Sequence, residues 1–237
     1  MKIIARIPLF VALIAVISLT LSGMGVRQGW WTYRFGFQIL EWSAYGGLTA
    51  AVLAIAAVLT PALRFKALIS LAVAMIIGVF TCYMPWQMKQ QAQALPKIHD
   101  ISTDLDNPPL FSKILPLRAA APNPASYGGP EVAAAQKSGY PDIHPRDVAL
   151  TPAETFARAL AVSKAMDWEI VDADGGKGVI EATATTRWFG FKDDVVIRIT
   201  PMATGSRVDM RSVSRVGRSD VGANAARIRA FFAALPN

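Results

Sequence analysis

The sequence predicts an α+β protein in which a three-helix transmembrane part precedes a two-layer α+β domain. Three long apolar segments, at residues 7–26, 42–63 and 67–86, contain no charged side chain. Each is long enough to cross a hydrocarbon core of about 30 Å as a helix. Residues 151–236 then show local patterns in the order α-β-β-β-β-α, with short turns between the strands. Such an order predicts a four-stranded antiparallel sheet covered by two helices.

The composition supports a membrane protein and gives no reason to propose nucleic-acid binding. The hydrophobic share of 53% is high for a soluble chain. Residues 1–96 carry seven Lys or Arg and one acid, so they hold most of the net charge of +7. Basic residues that flank apolar segments usually orient them in a bilayer. The single cysteine, Cys82, cannot form an intramolecular disulfide.

The flanking charges also predict an orientation. Four Lys or Arg lie at the amino-terminal side of the three segments, against three at the other side. These residues are Lys2, Arg6, Arg64 and Lys66 against Arg27, Arg34 and Lys89. The bias predicts a cytoplasmic N-terminus and an extracytoplasmic chain after Trp86. A cleaved signal peptide is disfavoured because no A-x-A site follows. Transport is disfavoured because the spans contain no Asp, Glu, Lys, Arg or His.

Residues 91–237 are expected to form the extracytoplasmic domain, with 1–90 as the transmembrane region. Nine prolines between residues 96 and 145 predict an extended arm at 91–150, before a compact core at 151–236. The arm carries too many apolar residues for a solvated linker, so we expect part of it to lie against the core. A metal site is an alternative for its His and Asp residues, but their spacing matches no compact motif. These are His99, Asp100, Asp104, Asp106, Asp142 and His144.

The core elements follow from local signals. Thr151, Pro152 and Glu154 form a helix start, with Thr as N-cap, and the helix should end near Met166. Ser219 and Asp220 should begin the last helix. Alternating or β-rich runs bounded by turns predict the strands. The predicted strands are 168–171, 179–188, 195–200 and 207–216, and the last helix is 221–235.

Strand alternation predicts one apolar face and one face rich in arginine. The arginine face is open to two interpretations: an anion-binding surface, or a solvated face whose arginines pair with Glu181, Asp193, Asp194 and Asp209. Backbone N–H groups at the 219–224 helix start would also favour an anion. The candidate binding residues are Arg187, Asp193, Asp194, Arg198, Arg211, Arg215, Ser219, Asp220 and Asn224.

Four motifs between residues 97 and 236 resemble the domain of unknown function 1499 family, which is mostly bacterial with plastid relatives. They are Ile98–Asp104 with Asn107–Pro109, then Gly139–Ile143, Arg187–Asp194 and Ser214–Asn224. The resemblance implies that residues 97–145 belong to the domain. It implies no activity, because the family has none assigned.

The leading hypothesis is a non-catalytic protein anchored in the bacterial inner membrane, which binds an envelope protein or an anionic ligand and uses no cofactor. One alternative is an envelope hydrolase in which His99 and Asp100 act with Asp193 and Asp194 within about 8 Å. Adjacent strand residues point to opposite faces, which argues against convergence of that last pair. A second alternative is a membrane scaffold that acts through its three spans.

Overall fold

The computed structural model describes residues 3–236, except for the side chains of Arg64 and Lys66. Lys2 and those two side chains, which enter the predicted charge bias, therefore lie outside the described part. The chain forms two compact units. One contains the residues up to Gln93 together with Arg187–Gly190, and the other contains Ala94–Thr186 together with the chain from Phe191 onward.

The first unit contains three helices that are long and apolar enough to cross a membrane. They are α1 (Ile7–Arg27), α2 (Tyr33–Leu59) and α3 (Pro61–Ala94). Within α3 the backbone leaves the helical region at Ala67 (φ −152°), directly after the predicted break at residues 64–66, and the third apolar span runs from Ala67 to Ala94.

Small residues bring α2 and α3 together. A Cβ atom on Gly47 would lie 2.7 Å from the carbonyl oxygen of Gly78, and a Cβ atom on Gly78 would lie 2.6 Å from that of Gly47. Neither contact leaves room for a side chain. This is the close backbone approach that small residues allow between membrane helices.

The second unit is an α+β domain built on one antiparallel sheet, as predicted, but with six strands. They are β1 (Asp100–Ser102), β2 (Arg146–Val148), β3 (Glu169–Asp174), β4 (Val179–Thr185), β5 (Lys192–Pro201) and β6 (Ser206–Ser214). The order is β1-β6-β5-β4-β3, and β2 pairs with β6 on the same edge as β1. The two additional strands come from the Pro-rich arm. Each has three residues, too few to show a periodic pattern.

The helices of this unit are α4 (Gly129–Gly139), α5 (Pro152–Ala165) and α6 (Ala223–Ala234). The predicted capping box of α5 is confirmed, because Thr151 and Glu154 exchange side chain to backbone hydrogen bonds. Helix α4 lies in the arm and was not predicted. Helix α6 begins two residues later than predicted, since Val221 (φ 53°) and Gly222 (φ 83°) are left-handed.

Both faces of the sheet are covered. On one face Ile180, Val195, Ile197 and Met210 form the main core with Phe231 of α6. The arm contributes Ile98, Ile101, Tyr140 and Ile143 to the same core. On the other face Phe111 and Ile114 of the arm pack on Val196 and Val213. The arm is therefore part of the packed domain.

Candidate functional site

Strand register places most of the predicted polar residues on the face that the arm covers. Asp194 of β5 lies opposite Val213 of β6, and Asp100 of β1 lies opposite Val213 from the other side. Arg198 likewise lies opposite Asp209. Directly paired residues share a face, so carboxylates and arginines from β1, β5 and β6 meet there.

Glu181 of β4 fastens the arm to this face. Its carboxylate accepts the backbone N–H groups of Ser112, Lys113 and Ile114 at 2.9, 3.1 and 2.9 Å. Glu181 is buried, and a buried carboxylate needs such donors to offset its lost hydration. The predicted role of Glu181 as an arginine partner was therefore wrong, because it binds backbone amides.

Asp194 is the centre of the network. It accepts hydrogen bonds from Arg118 Nη1 (3.0 Å), Arg215 Nε (2.9 Å), Arg215 Nη2 (2.8 Å) and Thr183 Oγ1 (2.8 Å). Asp194 and Arg118 are both buried. Burial lowers the pKa of the Arg118 guanidinium, and the charge of Asp194 opposes that shift. With four donors on its two oxygens, the Asp194 carboxylate is saturated by protein groups.

Arg211 is fully buried rather than displayed on a surface. It forms a bidentate pair with Asp100 (2.9 and 2.7 Å) and donates to the carbonyl oxygens of Pro109 and Ala125 at 3.2 and 2.9 Å. Its guanidinium carbon also lies 5.2 Å from the ring centre of Phe111. The expectation of an exposed or solvated arginine face is therefore wrong at Arg211.

Arg198 and Arg215 lie nearer the border of this face. Arg198 bridges Asp209 and Asp104 at 3.0 and 2.9 Å, with about a quarter of its side chain exposed (24%). Arg215 also donates to the carbonyl oxygen of Leu117 at 3.0 Å. Both arginines thus bind carboxylates, as the pairing interpretation expected, although the face is covered. Arg198 reaches the arm through the Asp104 carboxylate, and Arg215 reaches it through the Leu117 carbonyl oxygen.

Asp193 points to the opposite face, as strand alternation requires. Its carboxylate accepts from Arg227 of α6 at 2.6 Å. Asn224, at the start of α6, accepts from Ser212 Oγ at 2.7 Å and donates to the carbonyl oxygen of His99 at 3.0 Å. Asn224 is buried and joins α6 to β6 and to the residue before β1.

The 219–224 helix start already holds its own anion. The Asp220 carboxylate accepts the N–H groups of Gly222 (3.0 Å) and Asn224 (2.7 Å). Burial raises the pKa of Asp220, while these two hydrogen bonds oppose the shift. Ser219 Oγ accepts from the N–H of Val221 at 3.2 Å. The amides expected to bind an external anion are therefore occupied by two side chains of the same loop, those of Ser219 and Asp220.

Arg187 does not join the other candidates. Strand β4 ends at Thr185, and Arg187–Gly190 belongs to the unit of the apolar helices. Within that unit, Trp188 Nε1 donates to the carbonyl oxygen of Thr20 at 3.1 Å, and Arg27 donates to the carbonyl oxygen of Arg187. The predicted strand, 179–188, extended three residues past the end of β4, and Arg187 lies in that excess.

The geometry does not bring the proposed hydrolase residues together. Asp100 and Asp194 lie on the arm-covered face, whereas Asp193 lies on the α6 face and pairs with Arg227. The convergence required by the hydrolase hypothesis therefore fails.

The alternative metal ligands are also separated. Asp142 forms a bidentate pair with Arg229 at 2.6 and 2.7 Å, which lowers the pKa of Asp142 to about 2. His144 Nδ1 lies 3.1 Å from the carbonyl oxygen of Pro145. Across residues 3–236, no group of three or more His, Cys, Asp or Glu is arranged to hold a metal ion.

Three residues of these networks were missed in the sequence. Arg118 lies between prolines where no periodicity marks it, and Arg227 looked like an ordinary helix residue. Asn123 of the arm donates to the carbonyl oxygens of Ser214 and Gly217 at 3.0 and 2.9 Å. The excess of carboxylates on the sheet was the available signal, since buried carboxylates need cationic or amide partners.

A family model described as "Protein of unknown function (DUF1499)" matches residues 100–235, more than half of the chain. The chain belongs to the domain of unknown function 1499 family. The family match begins at the first residue of β1 and ends just after α6, so it includes the arm as well as the core. No curated protein matches the chain.

Proposed function

We propose that this member of the domain of unknown function 1499 family is an integral protein of the bacterial inner membrane that carries a non-catalytic binding module. Its three apolar helices support a membrane anchor. The excess of positive charge within residues 1–6 and 64–66 supports a cytoplasmic N-terminus and an extracytoplasmic α+β domain.

Saturation of the candidate carboxylates is the observation that carries the non-catalytic role. Asp100, Asp193 and Asp194 each bind an arginine at 2.6–3.0 Å. A general base must reach the proton that it removes, directly or through one water. Carboxylates held in this way stabilise the fold instead.

The partner would be an envelope protein or an anionic ligand. Arg211 is fully buried and bound to Asp100, so we assign the contact to basic groups that the buried network does not use. Arg218, in the loop between β6 and α6, and Lys192, at the start of β5, are both exposed. They lie at the same end of the sheet, because the Arg215 N–H donates to the carbonyl oxygen of Lys192 at 3.0 Å.

Two experiments test this proposal. A C-terminal alkaline phosphatase fusion should be active and a matched green fluorescent protein fusion dark; the reverse would contradict the orientation. The second experiment uses a strain in which deletion of the gene for this protein impairs growth. His99→Gln and the double variant Asp193→Asn/Arg227→Met, which leaves the net charge unchanged, should restore growth as well as wild type does. Loss of rescue by protein that is folded and present at normal abundance would indicate catalysis.

A second candidate function, the membrane scaffold, is favoured by a crevice of about 460 Å³ between α1 and α2. Ser18, Gln38 and Ser43 place polar groups in this otherwise apolar crevice. Polar groups within the membrane region can bind a neighbouring helix. Photocrosslinking from position 38 should capture one defined membrane protein if this surface is a scaffold, and only lipid if it is not.

A further inference from the structure

Three exposed basic residues mark one edge of the domain, called here the basic edge: Lys97, Lys192 and Arg218. Backbone hydrogen bonds hold their segments side by side. The Arg215 N–H donates to the carbonyl oxygen of Lys192 at 3.0 Å, and the Asp220 N–H donates to that of Ile98 at 3.1 Å. The basic edge therefore spans the start of β5, the loop after β6 and the segment before β1.

The basic edge carries uncompensated positive charge. Among the described residues, none of its three side chains lies within 4.0 Å of a carboxylate oxygen, the limit for an ion pair. The nearby Asp220 carboxylate is turned into the start of α6, where it accepts two N–H groups. An exposed cluster of one sign attracts an oppositely charged partner.

Short stretches of chain connect the basic edge to the unit of the apolar helices at two places. Lys192 follows Gly190 by two residues, and Gly190 belongs to the unit of the apolar helices. Lys97 follows Ala94, the last residue of α3, by three residues. An extended residue spans at most about 3.6 Å, so these links reach only about 7 and 11 Å.

We propose that the basic edge binds the anionic headgroups of phospholipids in the membrane that holds the three helices. Both links lead to the unit that holds the apolar helices, and the phosphate groups of a membrane around those helices are anions that Lys and Arg bind by charge and hydrogen bonding. Each base near an anionic surface strengthens binding by about fivefold, so three give about a hundredfold. This inference rests on the proposed membrane anchor and names the anionic partner.

Hydrogen exchange of the full chain in lipid nanodiscs tests the proposal. Backbone amides near residues 97, 192 and 218 should exchange several-fold more slowly in discs with about one third phosphatidylglycerol than in phosphatidylcholine discs. The difference should disappear at about 1 M salt, where the screening length is about 3 Å. The triple variant Lys97→Gln/Lys192→Gln/Arg218→Gln should show no lipid dependence.

The matched control removes three exposed bases from elsewhere in the domain: Arg158→Gln/Lys177→Gln/Arg207→Gln. It should keep the wild-type lipid dependence. Equal behaviour of the two triple variants, or no lipid effect in wild type, would overturn the proposal. Slowing by inorganic phosphate in phosphatidylcholine discs to the same extent would also overturn it, in favour of a soluble anion. Alkaline extraction, run separately, tests the anchor alone.

Discussion

Neutralising Asp194 should destabilise the extramembrane domain far more than neutralising an exposed carboxylate. In Asp194→Asn, Arg118 loses its ion pair with Asp194 although only 2% of its side chain is exposed, and Arg215 loses two hydrogen bonds to a charged acceptor. Removing one partner of a buried ion pair typically costs about 3–5 kcal/mol of stability, and we expect a loss of this size for Asp194→Asn. Single domains are stable by about 5–15 kcal/mol, so the change is large.

The matched control is Asp142→Asn, which breaks a bidentate pair with Arg229 whose side chains are about half exposed (53% and 45%). Solvent screening limits that pair to about 1 kcal/mol or less. Hydrogen exchange of the slowest β5 and β6 amides in the full chain reports the free energy of opening for both variants.

The double variant Arg118→Met/Asp194→Asn should recover part of the loss, since the guanidinium left without a partner is then absent. Equal losses in Asp194→Asn and Asp142→Asn would refute a structural role for the network. So would an unchanged loss in the double variant.

Three further predictions concern other contacts. In wild type, the Asp220 contribution to stability should fall as pH rises through its raised pKa, above the ordinary value of 3.8, and Asp220→Asn should remove that fall from the opening free energy of the α6 amides. The Asp142–Arg229 pair should stabilise the domain by about 1 kcal/mol or less above pH 3.8, and this contribution should disappear as pH falls toward about 2. Acid titration of wild type and Asp142→Asn measures the difference. Gly47→Val should lower the melting temperature of the helices by several degrees, because its Cβ would lie 2.7 Å from Gly78 O.

Each of these three has a contradicting result. A pH slope that is the same in Asp220→Asn as in wild type would show that burial of that carboxylate does not govern α6. An acid titration curve unchanged by Asp142→Asn would remove the second prediction. For the third, the exposed substitution Ala56→Val is the control, and equal melting temperatures for it and Gly47→Val would exclude tight α2–α3 packing.

The parts predicted correctly are those that local chemistry decides. The α5 capping box needs only Thr151 and Glu154, three residues apart. The alternation of Val195, Ile197 and Ile199 assigns the apolar face without knowledge of the partner strands, because side chains on a strand alternate. The three apolar helices likewise follow from length and hydropathy alone.

The parts that were missed depend on contacts between distant residues. Arg211 and Asp100 are 111 positions apart, and no periodic pattern couples them. Glu181 selects the amides of Ser112–Ile114 only after the arm has folded over the sheet. Strand β1 forms because its backbone pairs with the edge of β6. Its three residues alone would be assigned to a loop by any local rule.

The relative exchange rates of the arm and the sheet test the central claim most directly. That claim is that the arginine and carboxylate side chains fasten the Pro-rich arm to the sheet as one folded domain. Amides of Ile114 and Leu117 should then exchange with an opening free energy within about 1 kcal/mol of that for Met210 in β6, since buried units open together. Exchange of the arm that is faster by several powers of ten, with β6 still protected, would contradict it and identify the arm as a loose cover.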